Sequence, residues 1–407
     1  MHTKHKKLFE KILKKYLKVI IVLLNIMDKV NYKWDIQNNY IFGYDLNINS
    51  TANSNIKFVY LFDLDYTLIK TKSGNKFPKN KSDWEILYPN IPDKLSKLNK
   101  TESLIGIITN QKGLLNNEKI NDWIDKIKCI LDVIRIDFIF ASIIDDRYRK
   151  PMCGSFEYLK KFYININWDK ILKSNKIYYI GDACGRKTDF SDTDIKYAIN
   201  CKFKFKTPET FFSITNSNSV DKKGSITYPE LNYYTKKEQN LLFEQLYSII
   251  NLHTKILIIT IGLPGSGKSF LRNEIIKKFP QFYYSNNDDI KNNKSQSKML
   301  IKKISPEYEF IIDDNTNMNK LNREEKLNNF KSYYKIGIYF DYDLDTCYHL
   351  NLLRMYWFNC KLISKITYYT LIKYFDKNNL DNKFDKFIKI NKIFNEFNFD
   401  DKIKYYF

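Results

Sequence analysis

The feature that most constrains the fold is an apolar run that leads into a glycine-rich loop. Residues 255–261, KILIITI, are typical of a buried strand, and GLPGSGKS follows at 262–269. This spacing directs backbone N–H groups towards phosphate at the start of a helix, which we expect over 270–279. A strand, such a loop and a helix in succession predict a parallel sheet covered by helices. The motif does not identify the molecule that accepts the phosphoryl group.

The loop residues predict how a nucleoside triphosphate, ATP, is bound. Glycines let the backbone approach the phosphates, Lys268 reaches the β and γ oxygens, and the hydroxyl of Ser269 is a ligand suited to Mg²⁺. The residues predicted to contact the nucleotide here are Gly262, Gly265, Ser266, Gly267, Lys268 and Ser269.

A second phosphate-handling signature, FDLDYTL, occupies residues 62–68 and ends the apolar strand that we expect over 57–62. The alternation of a strand end brings Asp63 and Asp65 to one side, at the edge of the sheet where α/β sites form. Two carboxylates this close suit a nucleophile paired with a general acid/base. Acidic residues at a strand end are also common without chemistry, so the hexapeptide alone leaves both interpretations open.

Three later segments favour the chemical interpretation. LIGIITNQ at 104–111 ends a strand with Thr109, whose hydroxyl can hold a phosphate oxygen. Lys150, in Arg-Lys-Pro, offers a fixed cation, and YIGDACGR places Asp182, a hard-oxygen ligand for Mg²⁺, after another strand. In order and placement these segments resemble the four motifs of the haloacid dehalogenase superfamily.

That resemblance implies a role for each residue. Asp63 would be the nucleophile that forms an aspartyl-phosphate, and Asp65 would act as general acid and then as base. Thr109 and Lys150 would hold the phosphate. The residues that it implies as ligands of Mg²⁺ are Asp63, Asp65 and Asp182, with Asp189 as an accessory candidate and Ser269 serving the second site.

The sequence around these motifs is similar to that of a narrower family, polynucleotide kinase 3′-phosphatase. The similarity runs through FDLDYTLIKTKSGNKFPKNKSDWEILYPNIPDKL at 62–95, TNQKG, RKPMCG and GDACGRKTDFSDTDIKYAINCKFKFKTPETFF at 181–212. It includes Trp84, Pro89 and the TPETFF ending, which have no role in the superfamily chemistry. The resemblance therefore implies this family rather than a generic phosphatase.

The second half of the chain resembles the kinase domain of the same family. SNNDDIK at 285–291 and IIDDNTNMNKLNRE at 311–324 follow apolar strands. The resemblance implies that Asp288 is the base for the attacking hydroxyl. It also implies that residues 314–317, DNTN, form a sequence element that follows a core strand. Arg354 would be a lid arginine that contacts the nucleotide phosphates.

Three positions depart from the family pattern. Asn287 replaces the arginine usual before the base, Leu352 replaces a basic residue near the lid, and Asn116 stands near a position where relatives carry a DNA-contacting arginine. Loss of an arginine removes a bidentate phosphate ligand, which weakens end binding unless another cation such as Lys291 compensates.

Composition bears on three questions: the charge of the partner, the presence of a zinc site and the presence of a membrane span. The net charge of +21 over 407 residues favours a polyanionic partner, although many lysines also fall on solvated helix faces. The six cysteines show no CxxC pairing and there are four histidines, which disfavours a zinc site and favours reduced intracellular thiols. The apolar stretch 19–27 contains Asn25 and is shorter than the roughly 20 residues of a membrane span.

We therefore predict an α/β protein of two domains with a short N-terminal helical extension. A basic N-terminal helix, residues 1–31, and a lead-in occupy 1–54, and a haloacid dehalogenase-like Rossmannoid phosphatase domain occupies 55–215. A polar linker and a helix fill 216–250, and a P-loop NTPase-type kinase domain occupies 251–407. The forkhead-associated domain of the animal enzymes has no counterpart before the phosphatase, so scaffold binding through it is not expected.

The leading interpretation is a bifunctional enzyme that removes 3′-phosphate and adds 5′-phosphate at nucleic-acid ends in DNA strand-break repair. We expect DNA ends as substrate with RNA left open, a monomer, and no membrane association. Localisation is expected to be intracellular, either nuclear or in a viral or cytoplasmic replication compartment. The alternatives are a small-molecule phosphatase fused to a nucleoside kinase, and a catalytically degenerate protein that binds DNA ends.

Overall fold

The structure, a computed structural model, describes residues 32–47, 55–98, 101–212, 231–286, 308–358, 360–377 and 380–394. These residues form two compact units, one up to residue 212 and one from residue 231 onwards. The N-terminal helix predicted over 1–31 and the predicted base Asp288 lie outside the described residues. Each unit is an α/β arrangement, so the predicted fold class is confirmed.

The first unit is built on a seven-stranded sheet with a small two-stranded ribbon beside it. The strands of the large sheet lie in the order β1-β2-β7-β6-β3-β8-β9. In chain order the strands of this unit are β1 Tyr32–Ile36, β2 Tyr40–Asp45, β3 Phe58–Phe62, β4 Ile69–Lys70, β5 Glu85–Ile86, β6 Ser103–Asn110, β7 Phe138–Ser142, β8 Ile177–Ile180 and β9 Lys204–Lys206. Strands β4 and β5 form the ribbon.

The sheet is mixed rather than purely parallel, which corrects the prediction. From β7 to β9 all neighbours are parallel, but β2 pairs antiparallel with β7, and β1 pairs antiparallel with β2. Both strands of this hairpin lie in the predicted lead-in, residues 1–54, before the first domain. Gly43 of β2 makes the hairpin compact, because a Cβ atom there would lie 2.5 Å from the ring of Trp34.

Helices cover this sheet and leave the carboxyl ends of the central strands open. They are α1 Ile91–Ser96, α2 Asn117–Leu131, α3 Gly154–Phe162, α4 Trp168–Lys173, α5 Thr193–Asn200 and α6 Pro208–Phe212. Helix α2 begins at Asn116, whose side chain accepts a hydrogen bond from the N–H of Lys119, and it buries Trp123 and Ile127 in the same core as Ile107 of β6. This packing fixes the helix against the strand that carries Thr109.

The second unit has a five-stranded sheet in which all pairs are parallel, as predicted. Its strand order is β11-β12-β10-β13-β14. The strands are β10 Ile256–Ile261, β11 Tyr283–Ser285, β12 Phe310–Asp313, β13 Tyr334–Phe340 and β14 Lys386–Ile390. The helices are α7 Lys236–Asn251, α8 Lys268–Lys278, α9 Lys320–Asn329, α10 Leu344–Phe358 and α11 Lys365–Lys373.

Helix α7, which the sequence analysis grouped with the linker, packs in the core of this second unit. Phe243, Leu246 and Ile250 are buried in one cluster with Ile256 of β10 and Ile336 of β13. Its N-terminus carries a reciprocal capping box between Thr235 and Glu238. None of the helices in the described ranges combines the length and the apolar character that crossing a membrane requires.

Candidate active sites

The first site lies where three neighbouring strands of the first unit end. Asp63 directly follows β3, Thr109 is near the end of β6, and Asp182 follows β8 after one glycine. Because β3 pairs with both β6 and β8 in parallel, these three carboxyl ends meet at one edge. Four of the predicted residues are thereby brought to one place, since Lys150 reaches the same edge from the segment after β7.

Lys150 is the centre of this site. It is 4% exposed, and its ammonium group donates to Asp63 Oδ1 at 2.7 Å, to Asp194 Oδ1 at 2.8 Å and to the Tyr179 hydroxyl at 2.7 Å. The Tyr179 hydroxyl in turn donates to the carbonyl of Ile108 at 2.9 Å. All three N–H groups of Lys150 are therefore engaged, one of them with the carboxylate of Asp63, and a phosphate would have to take over one of these donors.

Burial and crowding of negative charge set the protonation of the site. Burial raises the pKa of Asp63 to about 6, against the opposing effect of Lys150. Burial, together with Asp63 and Asp194, raises the pKa of Asp182 to about 8. Burial alone would lower the pKa of Lys150, but Asp194 and Asp63 raise it above its usual value. In the absence of a cation, the site therefore holds more carboxylate than its single ammonium group neutralises.

Asp194 is a site residue that the sequence analysis missed. It is 2% exposed at the start of α5, and besides Lys150 it accepts a hydrogen bond from the N–H of Ala183 at 3.1 Å. Asp189, Asp192 and Asp194 all follow Asp182 closely, and spacing alone does not show which of them returns to the strand edge. The prediction of Asp189 chose a different member of this group.

Asp189 lies in a turn in which its carboxylate oxygens accept hydrogen bonds. Its carboxylate accepts hydrogen bonds from the N–H groups of Cys184 and Arg186 and from the guanidinium of Arg186 at 2.8 Å. Although burial opposes it, these hydrogen bonds lower the pKa of Asp189. Its role in the described arrangement is to shape the loop after Asp182, and its proposed part as an accessory metal ligand stays a prediction.

The residues present fit a divalent cation. Among the described residues, one group of potential ligands stands out: one carboxylate oxygen each from Asp63, Asp182 and Asp194, all within 4.8 Å of one another. Carboxylate oxygens are ligands that Mg²⁺ accepts, and the charge of the ion would offset the excess of negative charge in this group. The predicted ligand Asp65 is not in this group.

Asp65 is held beside the cluster by other contacts. Gln111 donates from Nε2 to Asp65 Oδ2 at 2.8 Å and to the Thr109 hydroxyl at 3.1 Å. The ammonium group of Lys126 lies 3.6 Å from Asp65 Oδ1. Because the Thr109 oxygen accepts from Gln111, its own hydrogen remains available to donate to a phosphate oxygen. The arrangement places Asp65, the predicted acid/base, beside the hydroxyl group that is predicted to donate a hydrogen bond to phosphate.

The second site is the loop between β10 and α8. Gly265 has φ +81°, and a Cβ atom there would lie 2.5 Å from the carbonyl oxygen of Cys347, so only glycine fits. Gly267, with φ +92°, is the N-cap of α8, and Lys268 is the first helical residue. The loop therefore presents backbone N–H groups at a helix N-terminus, as the motif predicts.

Lys268 is folded back onto this loop. Its ammonium group donates to the carbonyl of Leu263 at 2.7 Å and to the Ser266 hydroxyl at 3.3 Å, and the residue is 8% exposed. A triphosphate placed in the loop would offer stronger, charged acceptors to the same donor. Binding of the nucleotide would therefore exchange hydrogen bonds within the loop for bonds to phosphate.

A cleft of about 580 Å³ opens at this loop, within the range of sites for small ligands. It is lined by the loop, by Asp314 to Thr316 after β12, and by Arg354 and Trp357 of α10. Asp314 is paired with Arg272 at 2.9 Å, and burial raises the pKa of Asp314. The Nε of Arg354 is buried without a hydrogen-bond partner among the described residues.

The segment that is predicted to contact the attacking hydroxyl, residues 285–291, lies only partly within the described residues. Asn286 lines the cleft, and the described chain stops there, two residues before Asp288. Asn287, Asp288 and Lys291 thus lie outside the described residues. Of the two other departures from the family pattern, Leu352 is partly buried on α10, and Asn116 is the N-cap of α2.

Comparisons with known proteins agree with the resemblance found in the sequence. A family model described as polynucleotide kinase 3 phosphatase matches residues 58–212. The bifunctional polynucleotide phosphatase/kinase of Schizosaccharomyces pombe is 31% identical over 296 residues, which cover 72% of this chain and 67% of the relative. The putative bifunctional polynucleotide phosphatase/kinase of Acanthamoeba polyphaga mimivirus is 29% identical over 290 residues, covering 64% of this chain and 66% of the relative.

Two further similarities cover shorter parts of the chain. The polynucleotide 3′-phosphatase of Saccharomyces cerevisiae is 33% identical over 208 residues, covering 38% of this chain and 87% of the relative. A crystal structure of a fungal RNA kinase aligns with 34% of this chain and 74% of its own at 17% identity and a TM-score of 0.27, too low to support an argument.

The similarity to the first two relatives covers about two thirds of their length. An alignment of 296 residues is longer than either unit of this chain, because the first unit ends before the linker and the second begins at residue 231. It therefore extends across both the phosphatase-type and the kinase-type unit, and the chain belongs to the polynucleotide kinase 3′-phosphatase family.

Proposed function

We propose that this chain is a bifunctional enzyme that heals nucleic-acid ends, removing 3′-phosphate in its first unit and phosphorylating 5′-hydroxyl in its second. The observation that carries this proposal is the presence of two separate phosphate sites in one chain whose relatives are named bifunctional polynucleotide phosphatase/kinase. The two products, a 3′-hydroxyl and a 5′-phosphate, are the termini that a ligase joins.

In the first site Asp63 is the proposed nucleophile. Its carboxylate oxygen attacks phosphorus, the bond to the 3′ oxygen breaks, and Asp65 protonates that oxygen as it leaves. Asp65 then takes a proton from water, which attacks the aspartyl-phosphate and releases inorganic phosphate. Lys150 orients the nucleophile, because it donates to Asp63 at 2.7 Å, and Thr109 donates to a phosphate oxygen.

In the second site the 5′-hydroxyl attacks the γ-phosphoryl group of ATP. Asp288 accepts the hydroxyl proton, while Lys268 and Arg354 stabilise the charge on the transferred group. The support for this assignment is that Asn286 and Arg354 line the same cleft as the phosphate loop. Breaking the bond to the bridging oxygen leaves ADP and a 5′-phosphate end.

Each site has residues that would hold Mg²⁺. In the first unit these are Asp63, Asp182 and Asp194, whose oxygens lie within 4.8 Å of one another, with Asp65 as the further predicted ligand. In the second unit Ser269 follows the phosphate-loop lysine, and Asp314 lies in the same cleft. When bound, the cation supplies charge neutralisation between carboxylates and phosphate.

The finer parts of the proposal concern substrate and setting. We propose DNA strand-break ends as substrate, a monomeric enzyme, and an intracellular site of action in a nucleus or a viral or cytoplasmic replication compartment. The net charge of +21 supports a polyanionic substrate. Binding to scaffold proteins through a forkhead-associated domain is not part of the proposal.

The test is an assay on one nicked DNA duplex that carries 3′-phosphate and 5′-hydroxyl at the nick. In Mg²⁺ without ATP we expect release of phosphate only, and with ATP we also expect a 5′-phosphate, after which a ligase seals the nick. Both activities should fall steeply as salt rises. The same assay with an RNA strand tests the choice of nucleic acid.

Two results would contradict the proposal. One is that neither terminus changes in Mg²⁺ and ATP although the protein is folded. The other is faster turnover of a mononucleotide or sugar phosphate, with little effect of salt, which would support the fusion of a small-molecule phosphatase with a nucleoside kinase.

A further inference from the structure

A lysine is buried beside the first site although no motif includes it. Lys126 lies on α2 and is 5% exposed, whereas Lys119 and Lys128 of the same helix are exposed. Helix α2 is amphipathic, and Lys126 falls among its buried residues, next to Ile127. Burial of an ammonium group is unfavourable unless a partner compensates for its lost hydration.

The partner that compensates Lys126 is Asp65. The Lys126 ammonium lies 3.6 Å from Asp65 Oδ1, and Gln111 donates to the other oxygen, Oδ2, at 2.8 Å. The carboxyl group of Asp65 is thus held on two sides by groups from different elements. Its side chain is still 40% exposed, so the carboxyl group remains accessible from solvent.

These contacts restrict how Asp65 can move. A carboxylate on a loop has a freely turning χ2, and catalysis by a general acid needs it within hydrogen-bond distance of the leaving oxygen. The rigid helix α2 supplies a charge on one side, and the loop after β6 supplies a donor on the other. Among the described residues, removing the charge would leave Gln111 as the side chain that still holds the Asp65 carboxyl group.

We propose that Lys126 is a positioning residue for the phosphatase reaction, which orients Asp65 to protonate the leaving 3′ oxygen. The inference rests on the proposed function, since it takes Asp65 as the acid. Lys126 does not touch the substrate in this proposal, because the residue is only 5% exposed and its ammonium group lies against Asp65. Its whole effect on turnover passes through Asp65.

The first experiment is a double-mutant cycle on 3′-phosphate release from an oligonucleotide. Lys126→Met should lower kcat about tenfold to 100-fold with little change in KM, a range typical of residues that orient catalytic groups. In an Asp65→Asn background Lys126→Met should cause no further loss, because its target is gone. Lys128→Met, which removes an exposed lysine of the same helix, is the matched control and should retain wild-type turnover.

The second experiment changes the leaving group. An oligonucleotide whose 3′ bridging oxygen is replaced by sulfur leaves as a thiolate, which needs no proton. Both Asp65→Asn and Lys126→Met should therefore lose much less activity on the sulfur-linked ester than on the oxygen-linked ester. A defect in folding or in phosphate binding would lower both rates equally.

The outcomes separate this inference from the proposed function. Equal losses on the two esters, or additive losses in the cycle, would overturn the role of Lys126 while leaving the phosphatase activity in place. Absence of phosphate release by the wild-type chain would overturn the proposed function itself. Should thermal unfolding show that Lys126→Met is unfolded, Lys126→Gln, which keeps a polar end without the charge, enters the same two experiments.

Discussion

The two candidate phosphate sites of this chain differ in what their lysine side chains contact. In the first unit Lys150 already bonds the proposed nucleophile Asp63, and the carboxylates of Asp182 and Asp194 stand around it. In the second unit Lys268 bonds the carbonyl of Leu263 within its own loop. One site holds its proposed nucleophile by a contact with a lysine from another segment, and the other holds its lysine by contacts within the phosphate loop.

The difference fits the chemistry that we propose for each site. A covalent intermediate on Asp63 requires a fixed nucleophile, and buried charges of opposite sign hold it. Phosphoryl transfer from a bound nucleotide requires instead that donors converge on the nucleotide, so the loop supplies backbone N–H groups and the ammonium group of Lys268. We therefore expect the first site to respond most to loss of its own charges and the second to loss of contacts with ATP.

The largest expected effect is the separate loss of the two activities. Asp63→Asn should lower phosphate release about 10⁴-fold or more and leave 5′-phosphorylation unchanged, because the nucleophile belongs to one unit only. Lys268→Met should do the reverse. Both are measured on the nicked duplex, and Asp169→Asn and Lys277→Met, exposed residues of the respective units, are the controls.

The comparison between two independent sites would be wrong if either substitution abolished both activities in a protein whose circular dichroism is unchanged. The two sites would then depend on each other, and the description of two self-contained chemistries would be wrong.

The next largest effect is expected at the kinase base. Asp288→Asn should slow 5′-phosphorylation by about 10²–10⁴-fold, the usual contribution of a general base, and leave KM for ATP nearly unchanged. Asp289→Asn is the matched control. Normal turnover by Asp288→Asn together with a slow Asp289→Asn would move the base by one residue in SNNDDIK.

A third prediction concerns the effect of pH on the first site. The pKa values of Asp63, about 6, and Asp182, about 8, are raised in the folded protein without metal. The folded state then holds these protons more tightly than the unfolded chain does. Its stabilisation is complete below the ordinary pKa of about 4 and is lost as pH rises through 6 and 8.

Thermal unfolding in EDTA should therefore show the midpoint of the first unit falling between about pH 4 and pH 8, and Mg²⁺ should reverse most of the fall. Because Mg²⁺ must displace a proton, its affinity should rise with pH by up to about tenfold per unit over this range. Asp182→Asn should flatten both curves. An affinity for Mg²⁺ that is independent of pH would contradict the charge balance described for this site.

Much of both sites could be predicted from the sequence because each motif directly follows a strand. The strands before Asp63 and Gly262, and the strand that contains Thr109, are short apolar runs, and parallel strands bring their carboxyl ends together. The hairpin β1–β2 could not be predicted as part of the sheet. Its pairing with β7 joins residues about 100 positions apart, and nothing local to 32–45 specifies that register.

The same limit explains the site residues that were missed. Asp194 reaches the site because α5 begins near the edge where the strands end. Lys126 reaches it because it lies on the buried face of α2. A sequence signal did exist for Lys126, since the apolar positions of α2, such as Trp123 and Ile127, place a charged residue on the buried face. Its partner Asp65, however, is 61 residues away, and only the fold brings the two together.

The smallest expected effect tests whether stability, like chemistry, divides between the units. Asn116 caps α2 in the first unit, and Asn319 caps α9 in the second, each accepting a backbone N–H bond three residues later. Replacing either asparagine with alanine should cost about 1 kcal/mol, or roughly 2–4 °C, in the unfolding of its own unit. Calorimetry should show only the first transition shifted by Asn116→Ala and only the second by Asn319→Ala. Equal shifts of both transitions would mean that the units unfold together. Asn116→Arg loses the same cap but adds the cation that the family resemblance implies near this position. Tighter binding of 3′-phosphate ends by a less stable protein would show that such an arginine and this helix cap exclude each other.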